Sequence, residues 1–118
     1  MTTKIEEQRR FREALNERIL GQAKGIDRFF ALDAAAYRAG ALDATTKELM
    51  GLVGSLVLRC DDCVAYHLDR AVALGASREQ IVESLQIGLV IGGSIVIPHL
   101  RRAWESLEAL LAEREEVA

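Results

Sequence analysis

Two cysteines three positions apart, Cys60 and Cys63, enclose Asp61 and Asp62, and the 118-residue chain has no others. At the start of a helix such a pair puts both thiols on one side, within reach of a disulfide. Free amide N–H groups and the helix dipole favour a thiolate there, and the thiolate is the form that attacks peroxides and disulfides. Asp61 and Asp62 oppose that ionisation unless they cap the helix and point away. His67 follows Cys63 by four positions and Cys60 by seven, so the three can share a helical face, with the imidazole as the obvious base for a thiol. Glu48, near the start of the preceding helix, can hydrogen-bond that imidazole and fix its tautomer.

Each residue has a plainer reading. A Cys-x-x-Cys can be half of a zinc site, with His67 as third ligand and Glu48 or His99 as fourth. Against zinc stand the lack of a second cysteine pair and an ample supply of apolar residues, since a structural metal normally holds together a poorly cored domain. The cysteines can equally be two buried hydrophobes, and a lone helical histidine is usually structural. Glu48 completes the Thr-x-x-Glu spacing of Thr45-Thr46-Lys47-Glu48, a capping box that explains it without chemistry. Tyr66 and His99 read as core-edge or surface residues. Gly88 to Gly93 matches neither a dinucleotide nor a phosphate-loop pattern and reads as packing.

The elements that must position these residues are helices, because no stretch alternates with period two for long enough to form a strand. The expected fold is an all-α, single-domain bundle of about six helices over residues 1–118, with its active-site core at 45–93. Ile5, Phe11, Leu15 and Ile19 mark a first amphipathic helix that breaks near Gly21 to Gly25. A second, over 26–38, carries Phe29, Phe30 and Leu32 and stops at Gly40 in a left-handed terminus. The third runs from Thr45 to about Arg59, and Gly51 and Gly54 within it point to a close backbone crossing with a neighbouring helix. Asp61 or Asp62 caps the fourth, which carries Val64, Leu68 and Val72 and ends at Gly75. Ser77-Arg78-Glu79-Gln80 is a capping box opening the fifth, Ile81 to Ile91. The last helix follows Gly92-Gly93 with Pro98 in its first turn or at a kink, and its charged end after Leu111 reads as a frayed, solvated tail.

Composition narrows the function classes. Half of the residues are hydrophobic and only 5% aromatic, so the core must come from Leu, Ile, Val and Ala, which suits helix packing. Fifteen basic and eighteen acidic residues give a net charge of -3 and are mixed along the chain, unlike the one-signed footprint of a nucleic-acid binder. The apolar runs near Leu49–Leu58 and Ile87–Pro98 fall short of the ~20 residues that span a bilayer. The polar start MTTKIEEQRR excludes a secretory signal, so a cytoplasmic location is expected. In reducing cytosol, closely spaced cysteines turn over or bind metal more often than they staple a fold.

Taken jointly, Glu48, then Cys60-Asp61-Asp62-Cys63 after eleven intervening residues, then His67 after three more, are far more specific than the cysteine pair alone. The arrangement resembles the AhpD-like alkylhydroperoxidase branch of the carboxymuconolactone decarboxylase superfamily, most closely from Lys47 to Gly93. The resemblance implies an all-α fold, no metal or flavin cofactor, and single-domain chains assembled into trimers or hexamers. It implies a thiol peroxidase or disulfide reductase acting on a small hydroperoxide or disulfide, in which Cys63 reduces the substrate, Cys60 resolves it into a disulfide, and Glu48 with His67 relays the proton. The implied reductant is a thiol carrier, lipoylated or thioredoxin-like. Members fed by a lipoylated partner carry a histidine just before the second cysteine, where this chain has Asp62. The decarboxylase branch lacks the paired cysteines and is the poorer match. A non-catalytic redox sensor or assembly module would use the same two thiols.

Two physical arguments pull the thiols into different roles. A helix-start position favours Cys60 as nucleophile, since the first cysteine of such a pair usually lies nearer solvent and the free N–H groups. His67 sits one turn from Cys63 and two from Cys60, which favours Cys63. A positioned base contributes ~100-fold or more, against ~0.3 to 1 kcal/mol from an exposed helix terminus, so Cys63 is the expected nucleophile.

Overall fold

The structure, a computed structural model, describes residues 3–117. Six helices, α1 (Lys4–Ile19), α2 (Lys24–Ala36), α3 (Ala44–Val57), α4 (Asp61–Ala73), α5 (Arg78–Gly92) and α6 (Ile97–Val117), are joined by short turns, with one 3-10 turn at Ser94–Val96. No strand occurs among the described residues. α3 packs against both α4 and α5, and α6 runs along α4. Leu52 and Leu56 of α3, Val64 and Leu68 of α4, Ile81 and Leu85 of α5, and Leu107 and Leu110 of α6 close one apolar core, to which α1 adds Ile5. Each such side chain contributes roughly 1.5 to 3 kcal/mol through burial.

Local signals set most boundaries. Ser77 and Gln80 form the expected reciprocal capping box at α5. α4 ends where Gly75 takes a φ of 93°, and the amides of Gly75 and Ala76 bond the carbonyls of Val72 and Ala71, the Schellman pattern that only a left-handed residue closes. Pro98 falls in the first turn of α6, where its missing N–H costs nothing.

Several boundaries differ from the sequence reading. α3 begins one residue before Thr45, and its cap is Asp43, whose carboxylate accepts the Thr46 amide at 2.7 Å; that bond holds the Asp43 carboxyl below its usual range. α4 is capped by neither Asp61 nor Asp62 but by Cys60, whose Sγ accepts the Cys63 amide. Gly40 is not a left-handed terminus: α2 has already stopped at Ala36, and Lys47 Nζ donates to the carbonyls of Ala36 and Arg38. Gly54 faces open space, so it marks no crossing, whereas a Cβ at Gly88 would lie 2.9 Å from Leu56 Cδ2. The charged end after Leu111 stays helical to Val117 and is engaged. Arg9 donates to both Asp69 and Glu113, and Arg114 donates to the Ala76 carbonyl at 2.7 Å.

The amphipathic faces of α1 and α2 are only partly used. Ile5 is buried, but Phe11 is exposed, and α2 buries none of its residues, leaving Phe29 and Leu32 each 66% exposed. Val90, Ile91 and Ile95 near the end of α5 are likewise exposed. No helix among the described residues is long and apolar enough to cross a membrane.

Arg9 ties α1 to α4 and α6 through two part-buried carboxylates. Arg9→Met keeps the side-chain stem but leaves Asp69 and Glu113 facing each other, so it should cost about 1 to 2 kcal/mol. A urea midpoint equal to that of the parent chain would mean the network contributes nothing.

Candidate active site

The turn between α3 and α4 decides where the cysteines sit. Arg59 adopts a φ of 60°, the one non-glycine residue with positive φ among those described. Its amide bonds the Leu56 carbonyl and the Cys60 amide bonds that of Ser55, so α3 closes with a Schellman motif and the chain reverses directly into Cys60. That conformation disfavours side chains with a Cβ by roughly 1 to 2 kcal/mol, a cost the pairing of two buried helices must offset. The cysteines then stand at the α4 N-terminus, joined in a disulfide with Cα atoms 5.2 Å apart. Cys60 is half-buried and Cys63 exposed, the reverse of the usual order in a helix-start pair.

One turn along α4, His67 is buried against α3, and its Nδ1 lies 2.8 Å from Oε2 of Glu48, itself only 3% exposed. A carboxylate offers only acceptors, so the proton of this bond sits on Nδ1 and Nε2 remains as the acceptor of the neutral ring. Glu48 reaches inward because Asp43, not Thr45, caps α3. The capping explanation of Glu48 is therefore overturned, because the cap lies two residues earlier than Thr45. Arg70 Nε stands 4.0 Å from the other Glu48 oxygen.

Gly51 makes the room. A Cβ there would lie 2.7 Å from His67 Cε1 and 2.7 Å from the Tyr37 hydroxyl, so it admits an imidazole and a phenol, where a backbone crossing was expected. Tyr37 and Tyr66 flank His67, each with its ring centroid 5.2 Å away. Burial first, and the Glu48 carboxylate second, push both phenols above the usual tyrosine range, so both remain protonated at neutral pH. Tyr66, expected at the core edge or surface, is part-buried at the core edge and flanks the dyad. Tyr37 had no sequence signal at all, coming from α2 through a fold-level approach. Lys47 holds it there by gripping the carbonyls on either side of it. A cleft of about 430 Å3 lined by Tyr37, Arg38, Glu48, Tyr66 and Arg70 opens on the carboxylate side of the dyad. A groove of similar size between α1, α4 and α6 lies away from the cysteines.

His99, also read as a surface or core-edge residue, sits in the first turn of α6 with Nδ1 2.8 Å from Asp61 Oδ1. Among the described residues no group of three or more His, Cys, Asp or Glu is placed to hold a metal ion.

Residues 25–106 match the model of the carboxymuconolactone decarboxylase family. The chain belongs to that family. This family member is similar, at 55% identity and a TM-score of 0.89 over 93% of this chain and 94% of the other, to a solved Thermotoga maritima family protein described as a candidate for involvement in the antioxidative response. A family protein of Legionella pneumophila, solved in its apo form, is 29% identical with a TM-score of 0.77, covering 94% and 97% of the two chains. An uncharacterised Cupriavidus necator protein is 35% identical over 79% of this chain and 84% of its own. The carboxymuconolactone decarboxylase family includes decarboxylases and alkylhydroperoxidases, and this member carries the cysteine pair.

If Gly51 is what admits His67 and Tyr37, then Gly51→Ala must move one of them. Overpacking of this kind costs about 1 to 3 kcal/mol and should break the Glu48–His67 bond, read as a changed imidazole 15N tautomer signature together with lower stability. Parental stability with a parental imidazole spectrum would refute the assignment.

Proposed function

We propose that this protein is a thiol-dependent peroxidase or disulfide reductase that cycles Cys60 and Cys63 between dithiol and disulfide. The observation that carries the reading is the juxtaposition of a Cys60–Cys63 disulfide at a helix start with a buried His67–Glu48 pair one turn away. The Cys63 thiolate attacks the distal oxygen of a hydroperoxide and breaks the O–O bond, leaving a Cys63 sulfenic acid and an alkoxide that takes up a proton to become the alcohol. The Cys60 thiol then attacks the Cys63 sulfur, forming the disulfide and releasing water. An external dithiol, lipoylated or thioredoxin-like, restores the two thiols by exchange and leaves as its own disulfide. His67 serves as base to the attacking thiol, directly or through one water, and Glu48 holds its tautomer. The exposure of Cys63 and the half-burial of Cys60 favour Cys63 as the attacking sulfur.

Single-turnover kinetics test the assignment. Cys60→Ser should consume one equivalent of peroxide and stop as a Cys63 sulfenic acid, while Cys63→Ser should react at least ~100-fold more slowly. His67→Gln and Glu48→Gln should slow the first step and shift its pH dependence upward, while a strong chemical oxidant still closes the disulfide. Cys63→Ser reacting at the parental rate, with Cys60→Ser inert, reverses the roles.

The exposed apolar faces of α2 and of the α5 end favour self-association, and we propose a symmetric homo-oligomer, a trimer or hexamer, that covers them. Sedimentation at micromolar concentration should give a species of several 13.0 kDa chains; a lone monomer removes the proposal. The same faces keep a second reading alive, a redox sensor whose oxidation alters assembly. Steady-state peroxide consumption with a dithiol reductant marks the enzyme, and stoichiometric oxidation with a change in oligomer size marks the sensor.

A further inference from the structure

Asp61 is the residue most directly opposed to a thiolate at Cys60, being its immediate neighbour, and the fold does not leave its charge unanswered. His99 Nδ1 lies 2.8 Å from Oδ1 and Arg102 Nη1 3.0 Å from Oδ2, so each carboxylate oxygen has its own donor. Both donors stand on the first turns of α6, three residues apart, which places them on one face. His99 is mostly buried, whereas Arg102 is 61% exposed. Asp62, by contrast, is exposed and makes no ion pair among the described residues. Lys4 of α1 and Glu105 of α6, paired with each other, line the same cavity as Asp61 and Arg102, and Arg59 on the α3–α4 turn, Arg101 on α6 and the deeper His67–Glu48 pair are the other charged groups near this end.

We infer that His99 and Arg102 are positioning residues for the thiols, His99 holding Asp61 by a hydrogen bond and Arg102 neutralising it, so that Cys60 can ionise at the α4 N-terminus. The inference rests on the thiol chemistry proposed above and adds a second histidine–carboxylate pair to it, on the opposite helix from the first. Its physical content is electrostatic. A carboxylate beside a thiol disfavours the thiolate, and a cation on that carboxylate cancels most of the field while the helix N–H groups continue to favour the anion. Asp61 also becomes a tether: with both oxygens held by α6, it cannot swing back to take the amide that the Cys60 sulfur accepts.

The test reads thiolate directly and needs no peroxide. In the full-length Cys63→Ser chain, with Cys60 as its one thiol, iodoacetamide alkylation is followed from pH 5 to 10. Arg102→Gln should slow alkylation at pH 7 by about 3- to 10-fold and move the rate profile to higher pH. Asp61→Asn should move the profile the other way. Arg101→Gln, which removes a neighbouring exposed charge that makes no bond to Asp61, should leave the rate within about twofold. Raising the salt to ~1 M should shrink the Arg102 effect, because exposed charges are screened. Arg102→Gln alkylating at the parental rate, even with a lowered melting temperature, would make the contact a mere link between helices and overturn the inference. An equal slowing in Arg101→Gln would overturn it too, by assigning the effect to general positive charge. Failure of the peroxidase reading would appear separately, as absence of peroxide turnover with these alkylation shifts intact.

Discussion

Glu48 and His67 lie in the apolar interface of α3 and α4 with 2.8 Å between their polar atoms, and neither could be buried there without the other. A lone carboxylate or imidazole in that place would cost several kcal/mol, so the bond determines how the two helices meet. It needs a residue without a Cβ at Gly51, a helix that starts at Asp43 so that Glu48 turns inward, and a tight reversal at Arg59 that brings α4 back along α3. The cysteines owe their place to the same reversal. The proposed thiol chemistry and the folding energetics therefore share residues, since the pair proposed to relay the proton is also the polar seam of the core.

Around that seam the charges are arranged in pairs reaching across the bundle. Arg9 joins α1 to Asp69 and Glu113, Lys47 closes the end of α2, Arg114 takes the carbonyls left at the end of α4, and His99 and Arg102 take Asp61. Each contact is part-exposed and individually modest. Together they fix the ends of helices whose middles are held by Leu and Ile, and the cysteine pair stands at one of those ends.

Apolar surface is distributed less economically. α2 holds to the body through Tyr37 and the Lys47 contacts while presenting Phe29 and Leu32 to the outside. That uncovered face is the surface that the proposed homo-oligomer would bury.

Periodicity and local stereochemistry determined the helical class, six helices, the Ser77 cap, the Gly75 stop and the grouping of Cys60, Cys63 and His67, because each depends on residues within a turn or two of one another. The family pattern made Glu48 conspicuous, although the capping spacing offered a false local explanation of it. Tertiary structure alone decided that Asp43 wins the cap and frees Glu48, that Gly51 faces an imidazole and not a backbone, and that Tyr37 arrives from α2. It also decided that Asp61 is drawn to His99 and Arg102, 38 and 41 residues away, and that the charged C-terminal residues are helical partners and not a loose tail. These outcomes share a physical reason. A local motif lists which partners a side chain can take, whereas the choice among them depends on which helix faces it and how much water is left between them.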